Sequence, residues 1–319
     1  MTGVPVQAAS ARGVGKVILL GEHAVVYGSP AIAIGLTRGA EAEVRRSSET
    51  SLSLGESVYL LGPETLSGSE LPPARAFRAL LSELSAPPVS ARATLAVPAG
   101  AGLGASAALG VALARAVASL GQGTASSTES IVERAALAWE NVFHGNASGI
   151  DTAAAQRGGC LWFTRAEGPS QLCVGRALHV VVAVVEPGAS TRVMVEGVAE
   201  RRRADRRDTD LVMEAIKGLV EGARDAIERG ARSHLGDLMT QNHELLARLG
   251  VSTQALDDAC RRALRAGALG AKLTGAGGGG CVIALVDEAK RSDVLAAWAQ
   301  RGFTCLEATA SEASAPGSV

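Results

Sequence analysis

Apolar positions along the chain fall into short runs and alternating stretches that predict strands separated by helices. The strand-like stretches lie at 17–20, 40–45, 58–61, 91–97, 178–185 and 281–286. Alternation with a period of two favours a strand because successive side chains point to opposite faces. Helices interleave with these strands, and the region from about 191 to 266 is mostly helical in pattern.

The clearest single helix is predicted to begin at Ser126. Ser126 and Glu129 have the spacing of a capping box, in which each side chain bonds a free backbone N–H group at the start of a helix. Apolar residues at helical spacing follow, up to His144 and Gly145, a typical glycine stop. The prediction places Glu140 one turn before the helix ends.

The segment 93–114 carries no charged residue, and its length alone would allow a membrane span. Pro98 and the glycines 100, 102 and 104 interrupt it in the middle, and residues of this kind break a helix. We therefore expect a strand, a loop and a buried helix here, and no membrane association.

Composition favours a chain of two domains. A chain of 319 residues with 47% hydrophobic content can fill two cores of ordinary size. The composition changes near residue 180, which predicts one domain over 1–180 and a second over 181–319.

Charge and cysteine content exclude some functions. The formal net charge of −1 argues against nucleic-acid binding, which needs a surplus of cations. The five cysteines show no spacing typical of metal ligands, and we expect them to be buried thiols in a reducing compartment. The first residues lack the pattern of a signal peptide, so a cytoplasmic location is expected.

Three glycine-rich segments carry the candidate chemistry. They lie at 15–23, 98–108 and 272–281 and read GKVILLGEH, PAGAGLGASAA and KLTGAGGGGC. Glycine lets backbone N–H groups close around an anion, so the three segments suggest a single phosphate site. Two of the four lysines in the chain, Lys16 and Lys272, lie in these segments.

The glycine segments are also compatible with simpler roles. Each segment alone is more often a structural turn. Residues 100–105 also match the loose dinucleotide fingerprint GxGxxA, although the acidic residue expected after the next strand is missing. No Walker sequence GxxxxGK[ST] is present, which argues against a P-loop ATPase.

A polar cluster at the end of the Glu140 helix links these segments. Residues 140–151 read ENVFHGNASGID. The order of the four segments resembles the GHMP kinase superfamily, and the first segment, with its continuation AVVYG, resembles the mevalonate kinase family within it. The matching segments cover about 60 residues spread over nearly the whole chain. Ala105 and Ala147 depart from the common pattern, but neither removes a charged group.

The resemblance implies an α+β fold of two domains, one like ribosomal protein S5 and one ferredoxin-like, with the active site in the cleft between them. Asp151 and Lys16 would be catalytic, Glu22 and His23 would bind the substrate, and Ser106 and Glu140 would hold Mg²⁺. The residues expected to bind the ATP phosphates are Pro98, Gly100, Gly102, Leu103, Gly104, Ala105, Ser106, Ala107, Lys272, Gly275, Gly277 and Gly278.

The resemblance also implies an activity, ATP-dependent phosphorylation of the 5-hydroxyl of (R)-mevalonate, by a homodimer. Phosphomevalonate or a sugar is an alternative substrate. An oxidoreductase that binds a dinucleotide through residues 100–105 is a rival from another class, and a regulatory protein without catalysis is a third. The presence of Lys16, Ser106, Glu140 and Asp151 argues against the last of these.

Overall fold

The computed structural model describes residues 8–62, 71–121, 125–144 and 149–310, apart from the side chains of 125–128 and 144. Packing divides the chain into two compact units, each built from separate segments. Unit 1 comprises Met1–Gly15, Arg38–Ala99 and Gly104–Arg157, and unit 2 comprises Lys16–Thr37, Gly100–Leu103 and Gly158–Val319. The expected boundary between residues 180 and 181 stays a prediction, because this division follows packing and not a single cut in the chain.

Unit 1 contains most of a β-sheet and four helices. Its strands are β1 (Ala8–Leu20) and β2 (Ala31–Arg46), which both continue into unit 2, and β3 (Thr50–Leu54), β4 (Ser57–Leu61) and β5 (Val89–Leu95). The pairing order is β4-β3-β5-β2, with β1 also on β2. β3 and β5 are parallel, whereas β2 and β5 are antiparallel, with Val44 opposite Ala91.

Helices pack on this sheet around one apolar core. They are α1 (Pro72–Glu83), α2 (Ala105–Ser119), α3 (Ala125–His144) and α4 (Ile150–Arg157). The core includes Phe77, Leu80 and Trp139, all nearly inaccessible to solvent. A Cβ atom on Gly110 would lie 2.8 Å from the Trp139 ring, so glycine is what allows α2 and α3 to approach closely here.

Unit 2 contains a second, antiparallel sheet with the order β11-β8-β10-β9. Its strands are β8 (Leu178–Glu186), β9 (Gly270–Thr274), β10 (Gly280–Val286) and β11 (Thr304–Ala310). Two further strands, β6 (Cys160–Thr164) and β7 (Gly168–Gln171), pair with each other, and β6 also pairs with Ala31–Ile34 of β2. The helices are α5 (Thr191–Ala204), α6 (Arg206–Glu228), α7 (Arg232–Arg248), α8 (Gln254–Arg265) and α9 (Glu288–Ala299), with a 3₁₀ turn at Ala24–Tyr27.

The expected strands and helices are largely confirmed. Each of the six predicted strands lies in an observed strand, although the one expected over 91–97 ends two residues earlier, at Leu95. Four helices occupy the region expected to be helical from 191 to 266. The uncharged segment forms β5, a loop and the buried helix α2, as predicted. Among the described helices, none combines the length and the hydrophobicity that a bilayer crossing requires.

Two local predictions have other outcomes. Helix α3 begins at Ala125, and the side chain of Ser126 and the whole of Gly145, on which the predicted cap and stop depend, lie outside the described residues. The expectation of five buried cysteines is wrong for Cys173, which is exposed, and Cys305 is only half-buried. Cys173 lies two residues beyond strand β7, between Leu172 and Val174, whose side chains are the ones that turn inward.

Candidate active site

Unit 1 brings together two of the predicted metal ligands. Ser106 lies in the first turn of α2, and its hydroxyl donates a short hydrogen bond to Glu140 Oε1 on α3. The neighbouring Trp139 donates from Nε1 to Ser106 Oγ over 3.2 Å. Glu140 is buried, with 2% of its surface exposed. A hydroxyl and a carboxylate oxygen in contact are the hard donors that Mg²⁺ prefers, and this ion commonly takes only one or two protein ligands.

The glycine-rich segment before α2 leaves its backbone open. Gly100, Gly102 and Gly104 all have φ between 71° and 75°, in the left-handed region that favours glycine. No heavy atom lies within 4 Å of the position that a Cβ would take at Gly100 or Gly102. Among the residues that the structure describes, no side chain caps the start of α2, so its first N–H groups can bind an anion. These features fit a phosphate group next to Ala105, Ser106 and Ala107.

Asp151 lies in the first turn of α4 and is half-buried. The preceding Gly149 has φ 85° and its carbonyl begins the helix by accepting from Ala153 N. Alanines 153–155, which follow Asp151 along α4, are buried. The buried alanines therefore fix the position of the helix, and Asp151 in its first turn stays partly accessible.

In unit 2, Lys16 and Cys281 hold the segment Gly100–Leu103. Lys16 donates from its backbone N to Leu103 O over 2.9 Å, and from Nζ to Gly102 O over 3.3 Å. The Cys281 thiol donates to Ala101 O over 3.3 Å. Burial raises the pKa of Cys281 to about 12, which keeps the thiol protonated and able to donate. Pro98, which precedes this segment, is half-buried, and Leu103 is buried.

Glu22 and Lys272 form a buried ion pair, also within unit 2. Lys272 Nζ donates to Glu22 Oε1 and, over 2.6 Å, to Leu273 O. The two side chains are 2% and 0% exposed. Burial lowers the pKa of Lys272, and the charge of Glu22 opposes that shift. Lys272 was expected to bind ATP phosphates, but its ammonium has no access to solvent and is already paired.

His23 has an unusual backbone and a defined ring orientation. Its φ of 60° is rare for a residue with a side chain. The ring Nε2 lies 2.8 Å from Ala276 O, and a carbonyl can only accept, so Nε2 carries the proton. Burial is the main cause that lowers the pKa of His23, which favours the neutral ring. Its Nδ1 atom is then an acceptor.

The third glycine segment serves mainly to pack the unit. A Cβ at Gly277 would lie 2.1 Å from Val251 O, and one at Gly278 would lie 2.5 Å from Met194 Sδ. Gly275 differs, since a Cβ there would meet no atom within 4 Å. Of the three glycines expected near the phosphates in this segment, Gly275 is therefore the one with open space beside it.

Sequence reasoning missed three contributors to these sites. Trp139 bonds Ser106, Ala276 orients the His23 ring, and Thr274 Oγ1 accepts from Ile18 N over 3.0 Å and donates to Ile18 O over 2.9 Å. The last two lie in the third glycine segment, which the sequence did single out. The helical spacing of apolar residues in α3 gives no sign of the contact between Trp139 and Ser106.

Comparisons with known proteins identify the family of the chain. The family model described as GHMP kinases N terminal domain matches residues 73–159, and the one described as GHMP kinases C terminal matches 223–304. A mevalonate kinase of Methanothermobacter thermautotrophicus is 36% identical over 86% of this chain and 89% of its own length. One of Aeropyrum pernix is 35% identical over 88% of this chain and 90% of its own.

A solved structure gives the same result for the fold. The crystal structure of L. major mevalonate kinase in complex with R-mevalonate has a TM-score of 0.83 and 25% identity, and the match covers 98% of this chain and all of that one. The α+β fold expected from the sequence is thus confirmed. The chain belongs to the mevalonate kinase family of the GHMP kinases.

Proposed function

We propose that this chain transfers the γ-phosphoryl group of ATP to the 5-hydroxyl of (R)-mevalonate, giving 5-phosphomevalonate and ADP. The observation that carries the proposal is the 36% identity to a named mevalonate kinase over 86% of the chain. The charged residues expected to act on the reacting groups and on Mg²⁺, namely Asp151, Lys16 and Glu140, are all present.

Asp151 would accept the proton of the substrate hydroxyl as its oxygen attacks phosphorus. The partly accessible carboxylate at the start of α4 suits a general base, which must reach the proton that it removes. Lys16 would stabilise negative charge on the transferring phosphoryl group, because its ammonium is a compact point charge. Its hydrogen bond to Gly102 O fixes the position of that ammonium in the glycine-rich segment.

The open backbone of Gly100, Gly102 and Gly104, with the uncapped start of α2, would bind the phosphates of ATP. Ser106 Oγ and Glu140 Oε1 would hold Mg²⁺, with water and phosphate oxygens completing its shell. When bound, Mg²⁺ neutralises charge that develops on the phosphate oxygens. Gly275 offers a further open backbone position for the nucleotide.

Glu22 and His23 would bind mevalonate. Each is buried and held by a partner in unit 2, so each presents a fixed acceptor, a carboxylate oxygen or the ring Nδ1. Mevalonate carries two hydroxyl groups that can donate to such acceptors. Preorganised groups of this kind avoid the entropy loss of ordering on binding.

The test measures ADP release with Mg-ATP against mevalonate, phosphomevalonate, galactose and homoserine, with Asp151→Asn beside the wild type. We expect turnover on mevalonate, and a fall in kcat of about 10²- to 10⁴-fold in the variant, the range for loss of a general base. Thermal melting controls for folding. Turnover on another alcohol in place of mevalonate would overturn the substrate, and an unchanged kcat in Asp151→Asn would overturn the role of that residue.

We further propose a cytoplasmic homodimer, as the family resemblance implies. The near-neutral charge of −1 fits small-molecule substrates rather than nucleic acid. Light scattering coupled to size exclusion would measure the molar mass. A mass equal to that of one chain at micromolar concentration would contradict the dimer.

A further inference from the structure

We propose that Lys272 is a positioning residue for the mevalonate side of the reaction, and that it acts through Glu22 without contacting the nucleotide. The inference rests on the proposed function. It changes the role of the lysine in the third glycine segment from phosphate ligand to the charge partner of a substrate-binding carboxylate.

The first argument is the geometry of the ion pair. Lys272 stands in the middle of β9 with its side chain fully buried, and its ammonium is paired with the Glu22 carboxylate in the place that a phosphate would take. Two of its three donor sites are used by Glu22 Oε1 and Leu273 O. A lysine that binds a phosphate must present its ammonium to the ligand, and Lys272 does not.

The second argument concerns the other carboxylate oxygen of Glu22. Glu22 Oε2 is buried, and among the residues that the structure describes no group donates a hydrogen bond to it. A buried carboxylate oxygen without a donor is costly, which points to a donor that a bound molecule supplies. Lys272 binds Oε1 and thereby leaves Oε2 as the acceptor for a substrate hydroxyl.

The third argument is that the surrounding contacts fix the pair in place. Ile283 of β10 stands opposite Lys272, and Cys281 stands opposite Thr274. Thr274 bonds both backbone groups of Ile18, on the strand that leads to Glu22. Ala276 O then orients His23, the next residue along. Strand β9 and the residues that follow it thus support Glu22 and His23 together.

The consequence for Lys272→Met follows from the buried charge. Removal of the ammonium leaves an uncompensated carboxylate, which takes up a proton or turns away from its position. The first change removes the negative charge that makes Oε2 a strong acceptor, and the second moves the acceptor out of place. We expect the KM for mevalonate to rise about tenfold or more, as for a lost hydrogen bond to a charged group, and the KM for ATP to stay within about twofold.

The experiment compares wild type, Lys272→Met, Glu22→Gln and the double variant in steady-state kinetics with both substrates. The double variant contains no buried net charge, so it keeps the test possible if Lys272→Met does not fold. If Lys272 acts only through Glu22, the double variant has the same KM for mevalonate as Glu22→Gln alone. Lys217→Met, at an exposed lysine of α6, is the matched control and should match the wild type.

Three results would overturn the inference. One is a KM for ATP that rises tenfold in Lys272→Met, another is an unchanged KM for mevalonate in that variant, and the third is a double variant much worse than Glu22→Gln. A wild-type chain that does not phosphorylate mevalonate would overturn the proposed function and this inference with it. With an active wild type, any of the first three results affects the inference alone.

Discussion

Single residues in unit 1 show how the neighbours of Ser106, the proposed metal ligand, orient its hydroxyl. The Ser106 hydroxyl has one proton, which it donates to Glu140, and its lone pairs are left to accept the Trp139 N–H bond or to bind a cation. Trp139 is 1% exposed and belongs to the core, so its ring cannot turn away. The core thereby fixes the direction in which the serine oxygen points.

Replacement of Ser106 by alanine tests this arrangement. We expect Ser106→Ala to raise the Mg²⁺ concentration for half-maximal activity by at least about tenfold, since even a supporting partner of a metal ligand is worth that much. The measurement is a Mg²⁺ titration at saturating ATP and mevalonate. Ser119→Ala is the matched control, because Ser119 lies at the other end of α2 and its hydroxyl donates to Arg115 O of the same helix. Equal titration curves for the two variants would exclude Ser106 as a ligand.

The loop between β9 and β10 contains two kinds of glycine, one with open space beside it and one packed against other atoms. Gly275 and Gly277 have similar φ angles, 86° and 78°. They differ in space, because only the Cβ of a residue at 277 would collide, with Val251 O at 2.1 Å. Backbone strain and steric conflict can therefore be separated by the same substitution at both positions.

Alanine at these two positions should have unequal effects on stability. We expect Gly275→Ala to lower the free energy of unfolding by about 1–2 kcal/mol, the cost of a left-handed residue with a side chain. Gly277→Ala adds the collision and should lower it by at least about 3 kcal/mol. Urea denaturation followed by circular dichroism measures both. Similar losses in the two variants would mean that Val251 moves away at little cost.

Elements also differ in how far the sequence predicts them. The apolar runs of β8 and β10 and the glycine segments are local patterns, and these were found. Strand β1 begins at Ala8, but its first half contains small and polar residues such as Ser10 and Arg12, so no apolar pattern indicates a strand there. The Lys272–Glu22 pair joins residues 250 positions apart. Such a contact depends on the pairing of β9 and on the path of β1, which no local pattern specifies.

At the scale of the whole molecule, two histidines link stability to pH: His23, which is buried, and His243, which is partly buried. The pKa of His23 and that of His243 are both lowered from 6.5, and burial is the main cause in each case. For His243 the nearby charge of Asp257 opposes this shift. Both rings are therefore mostly neutral in the folded chain at pH 6.5, where half of the histidines in an unfolded chain carry a proton.

Below pH 6.5, then, the unfolded chain binds more protons than the folded chain, and the free energy of unfolding falls as the pH falls. The loss for each histidine can reach about 1.4 kcal/mol per pH unit until its folded pKa is passed. We expect urea denaturation at pH 7.5, 6.5 and 5.5 to show this decrease, and His243→Gln to make it less steep. His234→Gln, at an exposed residue of the same helix, should leave the slope unchanged. The same slope in His243→Gln and the wild type would mean that carboxylates, not this partly buried imidazole, cause the loss of stability in acid.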